Sequence, residues 1–440
     1  MICTLNIKVL SMVQLKRSLG LLEVTLMSIG VILGAGVYVL IGEAAGLSGN
    51  ALWLSFILAA IVASFTGLSY AELSSRFPHA AAEFVYVKHS FGPQLAWLVG
   101  WFIIVGSIIG ATTVAMGFAN YFYVLFHTPI IITAFILLAI CGTILILGVK
   151  ESAVMTIIFT LIEAAGLVII IFIGVPYYGS VDYSELAKGF SGIIQAGVLI
   201  FFGYIGFESI TRLAEETKKP EKTIPRAIIY SIIITTVFYI LVGISAVSVV
   251  PWQELATAKA PLALIAERVF GSQSFLILSV IALFSTFNTT LVMLLSGSRI
   301  VYGMARENAL PDRFTTILKI RQTPWIAIIA LMFAAMFFLI IGDLAIIANL
   351  TNFTIFIVFL AVNATVIYLR YKSPQTQNGF RIPLAIGKMP VIPLLGFCSI
   401  AFMLINLPLE VLGLGAILGF LGILFYYLFL LHKKKVKLTR

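Results

Sequence analysis

The sequence predicts an all-α integral membrane protein of twelve helical spans, with the first and sixth spans interrupted. Three observations predict it. The 440-residue chain is 61% hydrophobic and only 10% charged, with a mean hydropathy of +1.11, whereas soluble domains carry roughly 25% charge. Its charged residues mark off apolar runs, each near the ~20 residues that cross the hydrocarbon of a bilayer. Two of those runs are broken by glycine, at Gly34-Ala35-Gly36 and at Gly203-Tyr204-Ile205-Gly206. An outer-membrane barrel is excluded, because its strands alternate polar and apolar residues over about ten positions.

The spans follow in order. Charge-free runs cover 24–42, 44–71, 89–149, 227–253, 269–298, 322–342, 344–369, 389–409 and 411–432. The run 89–149 holds two helices with a turn near His127-Thr128-Pro129. Segment 152–175 is a span with one acid, Glu163, and 191–211 is another with one acid, Glu208. Between spans, residues 72–93 mix charges with Phe84, Tyr86 and Phe91, which suits an interfacial helix. The stretch 212–226 is the most charged, punctuated by Pro220 and Pro225. Residues 251–272 read as one amphipathic helix, and 299–323 as a basic loop. Loops are short, so 1–440 forms a single membrane domain. The first twenty residues show no cleavable signal peptide, and the first span is expected to serve as its own insertion signal.

Charge sets the orientation. Of the 28 basic residues, all but Lys188, Lys259 and Arg268 fall on one side if the N-terminus is inside. Positive-inside bias therefore predicts cytoplasmic termini at the plasma membrane. It also accounts for the net charge of +10 without a nucleic-acid partner; the bilayer is the partner implied. Cys3, Cys141 and Cys398 are dispersed, with neither metal spacing nor a disulfide framework.

The layout divides into two five-span units, about 20–175 and 190–370, with 389–432 peripheral. Five is odd, so the second unit enters the membrane from the opposite side. The two glycine breaks then occupy the first span of each unit, the arrangement that points to the substrate site of a secondary transporter. At the first break, Ile32, Gly34, Ala35 and Gly36 precede or open a half-helix. Its N-terminus offers bare N–H groups and a partial positive charge to a carboxylate. The competing reading of Gly30 and Gly34 is close helix packing. At the second break, Phe202, Gly203, Tyr204, Ile205 and Gly206 free carbonyls for an ammonium, with Phe202 and Tyr204 as aromatic lids or core contacts. Donors at one break and acceptors at the other describe an α-amino acid.

Four further residues are candidates for coupling or gating. Glu163 lies mid-span, and a carboxyl withdrawn from water holds its proton more readily. It is a proton carrier or, if ionised, a cation ligand; the alternative is a structural hydrogen bond. Glu208, two residues past Gly206, serves a gate, a proton or a cationic substrate, or ties its span to a neighbour. Ser285 and Thr286, with Asn288, Thr289 and Thr290, form a polar stretch of span eight expected opposite Glu163; such residues also serve as interhelical glue.

Four segments carry a resemblance over nearly the whole chain: GAGVYVLIGEAAG, YAELSSRFPHAAAEFVYVKHSFG, FFGYIGFESITRLAEETKKPEKTIPRAI and RIVYGMARENALP. Together they resemble the amino acid–polyamine–organocation superfamily of permeases. The resemblance implies a LeuT-like five-plus-five inverted repeat plus two peripheral helices. It implies that Gly34, Ala35 and Gly36 bind the substrate carboxylate. It further implies that Phe202, Gly203 and Ile205 offer carbonyls to its amino group, with Phe202 as aromatic gate. Where several bacterial relatives carry a lysine in span five, this sequence carries Glu163, so the coupling ion is H+ by preference and Na+ otherwise. Relatives taking cationic amino acids often have an acid in span three, where this chain has Gly106; that favours neutral substrates, with Glu208 as the counter-argument. No cysteine lies in 126–129, so no disulfide-linked heavy chain is expected.

The expected function is secondary active transport of amino acids by alternating access, with proton symport first. An exchanger, a polyamine permease of the same fold and a non-transporting amino-acid sensor are the alternatives. No cofactor and no enzymatic activity are expected, since a membrane-embedded prenyltransferase would need acid clusters for metal-diphosphate.

Overall fold

The computed structural model describes residues 19–438 apart from 79–81, 148–151, 215–216, 319–320, 322 and 373–378. The readings of the first eighteen residues, including Cys3, Lys8, Lys16 and Arg17, and those of Lys150, Lys319 and Arg440, lie outside the described residues.

The described chain is mainly helical, with short loops and one hairpin of two two-residue strands. In order, the helices are α1 (Leu21–Leu33), α2 (Ala35–Ser48), α3 (Leu52–Arg76), α4 (Ala82–Phe91), α5 (Pro93–Phe126), α6 (Ile130–Leu147), α7 (Ser152–Gly174) and α8 (Gly189–Ile200). They continue with α9 (Pro220–Val249), α10 (Trp252–Thr257), α11 (Pro261–Phe270), α12 (Ser272–Arg306), α13 (Trp325–Phe338) and α14 (Leu344–Lys372). Strands β1 (Ala385–Ile386) and β2 (Met389–Pro390) pair antiparallel, and α15 (Val391–Ile405) and α16 (Leu409–Leu438) close the chain. Nine stretches among the described residues are long and apolar enough to cross a membrane; the first runs from Leu21 to Arg76, and α13 and α15 lie in shorter apolar helices besides.

Boundaries follow local chemistry. Gly92 adopts φ +87, a left-handed value that suits glycine, and Pro93 then opens α5 at a position whose N–H has no helical partner anyway. The turn at His127-Thr128-Pro129 falls as expected: α5 ends at Phe126 and α6 starts at Ile130. Asp343 caps α14 by accepting from the Ile346 N–H at 2.8 Å.

Several expectations between spans are corrected. Residues 251–272 form two helices, because Pro261 has no N–H to continue α10 and instead starts α11. The charged stretch 212–226 is partly helical: α9 begins at Pro220 and runs through Pro225. Pro225 cannot donate to the Glu221 carbonyl one turn earlier, and the Ser75 hydroxyl takes that carbonyl at 2.9 Å. The basic segment from 299 likewise starts inside α12, which extends to Arg306. The expected interfacial helix exists as α4, but it packs on α5 and α14 and buries Glu83, Phe84, Tyr86 and Val87.

Long helices pack in pairs, α3 along α9 and α5 along α12 and α14. An aromatic knot sits among them: the Tyr70, Phe207 and Phe359 rings meet at centroid separations of 5.4–5.8 Å. Glu72 on α3 and Arg370 on α14 form a buried bidentate pair, Nε to Oε1 at 2.7 Å, and Glu72 Oε2 also accepts from the Ile382 N–H at 2.9 Å. That satisfaction on several sides lets a charged pair survive burial. On α16, Leu409, Ile417, Phe420 and Leu428 remain exposed, an apolar face suited to lipid.

Candidate functional site

The two glycine breaks are real interruptions, and they differ. In the first, only Gly34 leaves helical geometry (φ −38, ψ −142), while Ala35 and Gly36 already belong to the first turn of α2. The break marked at Gly34-Ala35-Gly36 is therefore confined to Gly34, and Ala35 and Gly36 open the half-helix. The second is longer than the sequence suggested. After α8 the chain tightens to a 3-10 turn over Phe201–Tyr204, passes through extended Ile205 (ψ 130) and Gly206 at φ +134, then resumes as a 3-10 turn over Ser209–Leu213. Gly206 is required there, because side-chain-bearing residues rarely adopt that φ.

The breaks touch. A Cβ on Gly36 would collide with the Cα of Gly203, backbone against backbone. A Cβ on Gly206 would lie 2.6 Å from Val31 Cγ1, and one on Gly34 would strike the Thr289 hydroxyl. Their glycines thus serve close approach as well as freedom of turn. Beyond the breaks, the Lys218 N–H donates to the Leu19 carbonyl at 2.8 Å, tying the two interrupted segments a second time.

Tyr239 of α9 joins the breaks directly. Its hydroxyl lies 2.5 Å from the Ile32 carbonyl and 2.8 Å from the Gly203 carbonyl. One hydroxyl hydrogen serves one of these acceptors at a time, so the group stands between them as a shared donor. The resemblance offers the carbonyls of Phe202, Gly203 and Ile205 to an ammonium. Phe202's accepts from the Ile205 N–H at 3.3 Å and Gly203's faces Tyr239. Ile205 lines a cavity. Tyr239→Phe leaves buried carbonyls without their donor, a loss of about 1–3 kcal/mol. We expect a lower melting temperature and an uptake KM raised about tenfold; unchanged values of both would remove Tyr239 from the site.

That cavity, of about 50 Å3, has room for a few water-sized groups. Val31 of α1 and Ile205, Gly206, Glu208 and Arg212 form one wall. Gly106 of α5, Met293 and Ser296 of α12 and Ile355 of α14 form the other. Phe202 and Tyr204 are buried but are not among its lining residues. Tyr204 turns the other way: its hydroxyl donates to the Phe56 carbonyl at 3.3 Å and its ring meets Tyr239 edge-on at 5.2 Å. The core-contact alternative describes that geometry.

Glu208 accepts from the Gly206 N–H at 2.8 Å and so caps its own break. Its neighbour in the cavity wall, Arg212, pairs with the wholly buried Glu83 of α4 (Nη2 to Oε1, 3.0 Å) and donates to the Ser296 hydroxyl. Sequence reasoning missed this pair. The four-residue spacing of Glu208 and Arg212 was the available signal, whereas nothing in the sequence marked Glu83 or Tyr239.

Glu163 of α7 is fully buried. Its Oε1 lies 3.5 Å from Asn288 Nδ2, and Ser285 stands beside the carboxyl. Glu163 Oε2 and Ser285 Oγ are buried with no hydrogen-bond partner. The polar stretch of α12 therefore does face Glu163. Thr286 turns back to its own helix, on the Ala282 carbonyl at 2.7 Å. The Glu163 backbone carbonyl accepts from Tyr38 of α2 at 2.7 Å, so the acid's helix is fastened to the half-helix after the first break. No group of three or more potential metal ligands occurs among the described residues.

Comparison with known proteins follows this geometry. A sequence model of the family described as "Amino acid permease" matches residues 19–429. The branched-chain amino acid permease BcaP of Bacillus subtilis is 28% identical, over 97% of this chain and 95% of its own. The methylthioribose transporter of the same organism is 29% identical, over 88% of this chain and 87% of its own. The vacuolar cationic amino acid transporter 4 of Arabidopsis thaliana is 31% identical, over 82% of this chain and 64% of its own.

Proposed function

The chain belongs to the amino acid permease family, and from that premise we propose that it is a secondary active transporter moving neutral amino acids by alternating access. The family transports small molecules across membranes and is not enzymatic, and the chain is a multi-pass membrane protein. The observation that supports the finer reading is the backbone contact of Gly36 with Gly203; the cavity is lined from the same two interrupted segments by Val31, Ile205 and Gly206, though not by Gly36 or Gly203 themselves. That contact brings a helix N-terminus next to the carbonyls of the second break, donors for a carboxylate beside acceptors for an ammonium.

In this reading the Leu21–Arg76 run crosses twice, and α13 and α15 cross with small extensions. The total is twelve spans, arranged as two inverted five-span units with α15 and α16 outside them. The termini are cytoplasmic at the cell membrane, as the basic residues suggest. Gly34, Ala35 and Gly36 take the carboxylate, and the carbonyls of the second break take the amino group. Tyr239 holds those carbonyls in position and yields one to the substrate. Ile32 contributes through the carbonyl that Tyr239 shares.

Glu163 is the coupling group in this proposal, with H+ as the ion. What supports it is placement. The carboxyl meets Asn288 and Ser285 on α12, and the next residue, Thr289, abuts the first break at Gly34. A change in protonation alters the contact of α7 with α12, one residue from the substrate site.

Counterflow in proteoliposomes tests the reading. Vesicles preloaded with an unlabelled neutral amino acid are expected to draw in labelled amino acid against its gradient. Binding without exchange would leave a sensor instead, and flux that never saturates would leave a channel.

A further inference from the structure

Relatives named for branched-chain and for cationic amino acids match at nearly equal identity, 28% and 31%. Resting on the permease reading above, we propose that Arg212 is a specificity-determining residue. It makes the cavity accept amino acids with neutral, apolar side chains and reject those with cationic ones.

Glu208 taken alone argues for a cationic substrate, because a carboxylate in a cavity wall attracts an ammonium or guanidinium. Arg212 lines the same cavity. Its side chain is only 9% exposed, and it is fixed from two elements, by Glu83 of α4 and Ser296 of α12. A guanidinium stays charged at any physiological pH. Arg212 thus occupies Glu83, offsets Glu208, and places a fixed positive charge in the cavity wall. Like charges in a confined, poorly solvated space repel strongly. A repulsive group of this kind excludes a competitor that the attractive contacts alone would admit.

Two further features agree. The rest of the lining carries no charge: Ile103, Val292, Met293 and Ile355 with the hydroxyl-bearing Ser107, Ser296 and Thr351. Gly106, also in the wall, leaves no room for an acid: a Cβ there would lie 2.6 Å from the Thr354 hydroxyl. Arg212 Nε and Glu83 Oε2 are buried without partners, so the pair is not wholly absorbed by the protein's own hydrogen bonding.

The test measures uptake of labelled alanine and leucine into proteoliposomes, with lysine as competitor, for the wild type and three variants. In the wild type, lysine competes poorly. Arg212→Gln uncovers two carboxylates, and lysine competition is expected to improve at least about tenfold relative to leucine. Arg212→Lys keeps the charge and should keep the wild-type preference. The Arg212→Gln/Glu83→Gln pair removes the guanidinium and one of the two carboxylates it covers, and its ratio should lie between those of Arg212→Gln and the wild type. An Arg212→Gln protein that transports with the wild-type ratio overturns the proposal. If that variant does not fold, a lysine preference in Arg212→Lys overturns it, and a retained neutral preference there alongside an intermediate ratio in the pair supports it. A wild type that prefers lysine overturns this inference alone, whereas a wild type that exchanges neither amino acid overturns the permease reading beneath it.

Discussion

Gly36→Val is expected to abolish uptake. A single Cβ at position 36 already overlaps the Cα of Gly203, and that neighbour is backbone, which has no rotamer to change. The valine adds two methyl groups beyond it. Relieving the overlap requires the two breaks to move apart, and overpacking of this kind costs about 1–3 kcal/mol or more. The same movement separates the N–H groups of α2 from the carbonyls around Gly203, so the carboxylate and ammonium positions no longer match one ligand. A loss of about 100-fold in affinity corresponds to roughly 2.7 kcal/mol, the scale of that strain. The measurement is saturable uptake in proteoliposomes, with elution volume and melting temperature confirming that the variant is folded. Gly36→Ala should fall between valine and wild type, since it has the overlap without the extra methyls. A folded Gly36→Val protein with wild-type uptake would falsify the assignment of this contact as the substrate site.

Glu163→Gln should separate transport from the proton gradient. The amide keeps the shape of the side chain and can still meet Asn288 and Ser285 on α12, but it cannot gain or lose a proton. With one proton per substrate, a gradient of one pH unit supports at most about tenfold accumulation, since each unit is worth about 1.36 kcal/mol. The wild type is expected to approach that ratio and the variant to fall to about one, while counterflow continues in both. Counterflow matters because it needs the substrate site and the conformational change but no driving ion. Full ΔpH-driven accumulation by the variant would remove Glu163 from coupling and leave the permease reading intact. Accumulation that follows a sodium gradient and is lost in the variant would assign the same carboxyl to Na+.

Much of the architecture was legible along the chain. Apolar runs bounded by charge located the helices, and the turn at His127-Thr128-Pro129 fell where it was expected. The errors gathered where proline acts in two ways. Pro225 reads as helix punctuation, yet it lies inside α9, because Ser75 from α3 satisfies the carbonyl that the proline frees. The stretch 251–272 reads as one helix, yet Pro261 starts a second. Each outcome depends on what lies nearby in space. The candidate site shows the same division. Glycine spacing marked both breaks, but only the packed structure showed that the first is one residue long and the second spans most of the span's latter half. For Tyr204 the sequence left lid and core contact open, and the packed structure turns it to Phe56 and Tyr239.

By itself, the sequence determined that this chain lies in a membrane, roughly where its apolar helices run, and that two of them break. Those properties follow from local composition, because the hydrocarbon rewards any apolar run long enough to cross it and glycine relaxes the backbone wherever it occurs. The tertiary structure decided which groups meet: Gly36 with Gly203, Tyr239 with both breaks, Glu163 with Asn288, and Arg212 with Glu83. Glu163 and Asn288 are 125 residues apart in the chain, and Arg212 and Glu83 are 129 apart. Buried polar groups find partners through the packing of whole helices, and no local pattern records which helix will arrive opposite.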